Sequence, residues 1–120
     1  NFYLEIKNSS VEGRFKTRNI ISEKKANLFE KIGFFDNQYG PCFPNLYVSY
    51  KREYSILDDV RISIDRNLVY ENYKTNITYN DYNSIVEIKT SIKKNLDDLI
   101  ESFPFQRIRF SKYCNGFEKI

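Results

Sequence analysis

Charged side chains recur at even spacing in four short stretches: Glu5 and Lys7 in FYLEIK, Lys16 and Arg18 in RFKTR, Arg61 and Asp65 in VRISIDR, and Glu87 and Lys89 in IVEIK. On a strand, residues at even spacing project from one face. A face carrying Lys and Arg is chemistry for a polyanion, since guanidinium groups engage phosphate oxygens in bidentate fashion and ammonium groups act as compact positive charges. A carboxylate among such cations has two uses. It neutralises its neighbours, or it holds Mg²⁺ or Mn²⁺ whose other positions are filled by water and phosphate oxygens. The plain alternative is an antiparallel sheet with one wet face, which yields the same alternation.

Composition removes other chemistries. The chain has 120 residues, no His and two Cys. Histidine general bases, Ser-His and Cys-His nucleophile pairs and imidazole-bound zinc are therefore excluded. A metal here needs oxygen ligands, which points to Mg²⁺, Mn²⁺ or Ca²⁺. Cys42 and Cys114 lack C-x-x-C spacing, and neither a signal peptide nor a membrane-spanning run accompanies them. They read as reduced thiols, and the location as cytoplasmic. The excess of 19 Lys+Arg over 16 Asp+Glu is mild. With no nucleic-acid-binding motif present, it argues against a nucleic-acid partner, and the absence of a span or basic amphipathic helix argues against direct membrane insertion. The length suits one domain with one site. The run begins inside a strand-like stretch and contains no Met, so the expectation is the C-terminal portion of a larger domain.

These residues must be positioned by strands. Residues 1–7 alternate Leu4 and Ile6 against Tyr3, Glu5 and Lys7, and residues 14–21 place Arg14, Lys16 and Arg18 together, which predicts a hairpin. Ser22 caps an expected helix to Ile32, with Ala26, Phe29 and Ile32 on its stripe and Gly33 at its end. Residues 34–45, with Gly40, Pro41 and Pro44, read as a loop. Strands follow at 46–54 (LYVSYKREY), at VRISIDR and at 84–90, with a tyrosine-rich weak strand and loop over 68–82. Asn95 caps an expected helix stopped by Pro104, and RIRFSKYC (107–114) alternates as a last strand.

The expected class is α+β. If helices cover the aliphatic faces, the charged faces curl inward and an antiparallel sheet closes as a β-barrel around a polar tunnel. A tunnel of that kind raises affinity for a phosphate chain through low-dielectric walls and convergent positive charge.

In order, LEIK, KTR, YKREY, VRISIDRN, VEIK and FSKY make the sequence resemble the vacuolar transporter chaperone (VTC) domain, the polyphosphate polymerase branch of the triphosphate tunnel metalloenzymes. The resemblance runs over nearly the whole chain. It implies a tunnel in which strand-borne Lys and Arg hold ATP and growing polyphosphate, with Mn²⁺ or Mg²⁺ at a glutamate. Carried over by motif, Glu87 of VEIK is the implied metal ligand and Glu5 a second candidate or a counter-charge. Arg52, Arg61 and Lys112 are the implied catalytic cations, and Lys7, Tyr50 and Lys89 the implied phosphate and nucleotide contacts. Lys16 and Arg18 are further wall residues.

At its front the chain departs from the pattern. Family members begin with strands bearing a Glu and a Lys and then an R-x-R-type strand, and this chain enters after both. The expectation is that such strands, or a second chain, complete the tunnel. Three activities stay open on sequence: transfer of the γ-phosphate of ATP to polyphosphate, hydrolysis of triphosphate in the same tunnel, and polyphosphate binding without catalysis.

Overall fold

The computed structural model describes residues 1–57, 59–90, 108 and 110–120. The chain divides into two compact units, Asn1–Pro44 and Asn45–Ile120.

In the first unit, β1 (Phe2–Ser10) and β2 (Gly13–Ile21) form the expected hairpin. Its register sets Glu5 opposite Arg18 and Lys7 opposite Lys16, so the charged residues share one face as their alternation requires. Helix α1 (Glu23–Ile32) starts at Ser22, whose hydroxyl accepts a 3.1 Å hydrogen bond from the Lys25 N–H. It ends at Gly33, whose N–H donates to the Phe29 carbonyl. Gly33 takes φ 78°, and a Cβ there would lie 2.4 Å from the Cys42 carbonyl oxygen, so glycine is required on both counts. The apolar stripe of α1 is only half realised: Ala26 and Phe29 are half-buried, and Ile32 is exposed.

Residues 34–45, expected as a loop, contain a second hairpin of β3 (Phe34–Asp36) and β4 (Gly40–Cys42). Its turn is organised by Asp36, whose carboxylate accepts from the backbone N–H groups of Gln38 and Tyr39. Gln38 and Asn8 exchange two side-chain hydrogen bonds, and the Tyr39 hydroxyl donates to the Lys7 carbonyl, which ties this hairpin to β1.

In the second unit, β5 (Leu46–Leu57) runs beyond its expected end at Tyr54, and β6 (Val60–Asn72) runs well beyond VRISIDR. Residues 68–72, expected as the start of a separate weak strand, are the second half of β6. Two short strands share its other edge: β7 (Thr78–Asp81) beside Leu68–Glu71, and β8 (Ile85–Lys89) beside Arg61–Asp65. The four make one antiparallel sheet with β6 at its centre.

A bulge divides β6. Ser49 pairs with Val69 and Lys51 with Arg66, so Tyr50 alone faces both Asn67 and Leu68. Asn67 absorbs the extra residue in a left-handed conformation, φ 55°. An unbroken strand would continue the face of Arg61, Ser63 and Asp65 with Asn67 and Val69. The bulge substitutes Leu68 and Tyr70, both 0% exposed. One sheet face thus has an apolar, tyrosine-rich end and a charged end.

Helix α2 (Lys112–Lys119) covers the apolar end of that face. RIRFSKYC was expected as a strand, and for residues 112–114 that expectation is corrected. Ser111 caps the helix by accepting a 3.3 Å bond from the Cys114 N–H, and its own carbonyl accepts from Asn115. Lys112, Asn115, Gly116 and Lys119 fall on the sheet side at helical spacing. Gly116 is buried against Tyr70 and Leu46. This helix, which the sequence reading did not expect, packs on the face that carries the charges, because the bulge makes half of that face apolar.

The α+β class holds, while the expected barrel does not appear: among the described residues the strands form sheets of two, two and four strands, and none closes on itself. The helix expected after Asn95 and the strand residues 107 and 109 lie outside the described residues. Cys42 and Cys114 are free thiols. No helix among the described residues is long and apolar enough to cross a membrane.

Candidate functional site

Arg52 on β5 and Asp65 on β6 are direct cross-strand partners. Their side chains meet in a two-pronged ion pair, Nε to Oδ1 at 2.6 Å and Nη2 to Oδ2 at 2.9 Å. The same carboxylate receives Lys112 from the first turn of α2, Nζ to Oδ2 at 2.8 Å. Asp65 is 1% exposed, whereas the Arg52 and Lys112 side chains are 42% and 21% exposed. A buried anion thus sits beneath two cations that reach solvent.

Tyr50 completes the cluster. Its ring lies 5.2 Å from the Arg52 guanidinium carbon and 4.8 Å from the Lys112 ammonium, both within cation–π range. The Arg52 hydrogen bonds, with help from Lys112, hold the Asp65 carboxyl at about 2, below the ordinary 3.8, against the opposing effect of burial. Arg52 is pushed in turn above its ordinary range, chiefly by the Asp65 hydrogen bond, against burial, with smaller electrostatic contributions from neighbours that include the Asp65 and Glu87 carboxylates. Asp65 and Arg52 therefore stay charged through the neutral range.

The same face continues toward β8. Arg61 lies directly opposite Lys89, and Glu87 opposite the buried Ser63. Glu87 pairs with Lys89 at 3.1 Å and keeps a side chain 45% exposed. Like charges placed directly opposite one another destabilise a sheet. The first unit repeats the arrangement, with Lys7 opposite Lys16. There Glu5 is held by Arg18 at 3.4 Å and Lys16 at 3.8 Å, and the Arg18 guanidinium stacks 3.8 Å above the Tyr3 ring.

The residues singled out on sequence are thus gathered in two sets. Tyr50, Arg52 and Lys112 meet at one carboxylate, and Arg61, Glu87 and Lys89 line the same face. Glu5, Lys7, Lys16 and Arg18 share the face of the β1–β2 hairpin. Sequence reasoning missed Asp65 as the organiser. Its signal was its place in VRISID, on the face of Arg61 and within a strand adjoining YKR, but the register that sets it against Arg52 is not readable from either stretch alone. The site is extended at its apolar end by Asn115, whose amide donates to the Tyr70 hydroxyl at 3.1 Å and to the Asp81 carboxylate at 3.3 Å.

As a metal donor set, this face offers the half-exposed Glu87 carboxylate, and among the described residues no group of three or more Asp, Glu, Cys or His side chains gathers to cage an ion. A family model described as VTC domain matches residues 2–120. No curated protein and no solved structure matches the chain.

Proposed function

The chain belongs to the VTC domain family, and from that premise we propose that it is a polyphosphate polymerase-like domain that binds ATP and polyphosphate on its cationic faces and transfers the γ-phosphate between them. The observation that carries this reading is the pairing of like charges, Lys7 against Lys16 and Arg61 against Lys89. In the apo sheet Glu5 and Glu87 offset only one member of each pair, and a phosphate chain laid along the pair draws on both cations.

Phosphoryl transfer is catalysed mainly by positioning and by stabilising charge on the transferring group. Arg52 and Lys112, aligned on Asp65, are the groups assigned to that charge, and Arg61 to the oxygens beyond it. Lys89 is assigned to a neighbouring phosphate, Lys7, Lys16 and Arg18 to phosphates on the hairpin face of the first unit, and Tyr50 lends its ring face to the two central cations. Glu87 is assigned to Mn²⁺ or Mg²⁺, with Lys89 beside it. Bound there, the ion would supply Lewis-acid neutralisation of the phosphate oxygens. Glu5, already engaged by Arg18 and Lys16, is assigned as a counter-charge that keeps those two side chains ordered. The enclosing tunnel belongs to this proposal, with its wall completed by further strands or by a second copy.

Incubation with ATP and Mn²⁺ or Mg²⁺ tests the reading. Long-chain polyphosphate is the expected product, lost on chelation and in Glu87→Gln. Release of free phosphate alone would move the assignment to a triphosphatase of the same architecture. Metal-independent binding without turnover would leave a polyphosphate-binding module.

A further inference from the structure

We infer that Asp65 is the positioning residue of the phosphate site: buried on the same sheet face, under the two cations, it fixes Arg52 and Lys112 against each other at the separation and orientation in which both can grip one phosphoryl group. The inference rests on the polyphosphate reading and adds to it a residue that need not touch the substrate.

The geometry supports this in three steps. Asp65 is 1% exposed and lies beneath the two cations, so it holds them from below. It takes up two of the five N–H donors of the guanidinium and one of the three of the ammonium. The donors that remain are those a phosphate oxygen can engage. Finally, the two cations come from different elements, Arg52 from β5 and Lys112 from the start of α2. Without a shared anion they would repel one another, and two long side chains would have to be ordered by the ligand itself. The low carboxyl pKa of Asp65, about 2, keeps the clamp charged across the working range.

A carboxylate next to a polyanion site admits an opposite role, that of a simple counter-ion which competes with phosphate. The two roles predict opposite signs. Removing a competing counter-ion adds one positive charge and tightens anion binding, whereas removing a positioning residue loosens the cations and weakens binding despite the added charge.

The test is tripolyphosphate binding by titration calorimetry at fixed salt, on the wild-type chain, Asp65→Asn and Asp65→Glu, with thermal unfolding as a folding control. The Arg52 Nε–H resonance without ligand reads the clamp directly. The expected result is a tenfold or greater loss of affinity in both variants, with the Nε–H signal protected in the wild type and lost to exchange in Asp65→Asn. Equal or tighter binding by Asp65→Asn overturns the inference. Should Asp65→Asn fail to fold, Asp65→Glu decides alone: it keeps the charge and lengthens the arm by one methylene, so weaker binding upholds positioning and wild-type affinity overturns it. If the wild-type chain binds no tripolyphosphate, the polyphosphate reading fails, and a phosphate-positioning role falls with it. The Nε–H comparison then shows whether the clamp itself exists.

Discussion

Arg52 and Asp65 stand directly opposite one another on neighbouring strands and join through two hydrogen bonds, 2.6 and 2.9 Å long, with the carboxylate buried and the guanidinium facing out. The pair links stability to acid. The Asp65 carboxyl lies at about 2 in the folded chain against an ordinary 3.8, so its folded pKa is depressed. The stabilisation is complete above about pH 5 and is lost as pH falls through 3.8 toward 2, a contribution of roughly 2–3 kcal/mol for a carboxylate of this kind. Urea midpoints measured from pH 5 to pH 2 should fall more steeply in the wild type than in Asp65→Asn. Parallel acid limbs would show that Asp65 titrates normally.

Lys89 faces Arg61, a cross-strand pair of like charge. Relieving it by Arg61→Gln should leave the empty chain equally or more stable, by about 0.2–1 kcal/mol. The same change should weaken tripolyphosphate binding by tenfold or more. Opposite movement of melting temperature and affinity is the signature of a residue kept for a ligand. If Arg61→Gln lowers both, the residue serves the fold instead.

Asn67 carries the bulge at φ 55°. Asparagine and glycine tolerate this conformation, and a β-branched residue does not. Asn67→Gly should stay within a few tenths of a kcal/mol of wild type, while Asn67→Val should lose about 1–2 kcal/mol in chemical denaturation. Because the bulge sets which face Leu68 and Tyr70 occupy, Asn67→Val should also disturb the near-UV signal of the tyrosines. Equal stability of the two variants would remove the left-handed residue from the account.

Gly116 lets α2 approach the sheet. A Cβ built there lies 2.3 Å from Tyr70 Cδ1 and 2.9 Å from Leu46 Cδ2. Gly116→Ala must push α2 outward, at a cost of about 1–3 kcal/mol. Since Lys112 heads the same helix, the variant should weaken tripolyphosphate binding as well as stability. Loss of stability with unchanged binding would show that Lys112 follows Asp65 rather than its helix.

Much of this was legible in the residues alone. Strand alternation has a period of two, so the partition of Glu5, Lys7, Lys16 and Arg18, and of Glu87 and Lys89, onto shared faces follows from order along the chain. The Ser22 cap and the Gly33 stop delimit α1 for equally local reasons. The ordered set of motifs pointed to the family that the match over residues 2–120 now shows.

What the sequence could not decide depends on partners distant along the chain. The β3–β4 hairpin is held to β1 by Asn8 and Gln38, thirty positions apart, within a stretch whose Gly and Pro signals read as loop. The alternation of VRISIDR runs on into Asn67, and only pairing with β5 shows the extra residue that turns Leu68 and Tyr70 onto the Asp65 face. FSKY alternates like a strand over too few residues to separate the two periods, and packing of Gly116 on Tyr70 favours the helix. The sequence thus determined which side chains share a face, because that is set by the local backbone repeat. The tertiary structure decided that Arg52 and Lys112 meet on Asp65, because register, bulge and helix docking are properties of paired segments and not of either segment by itself.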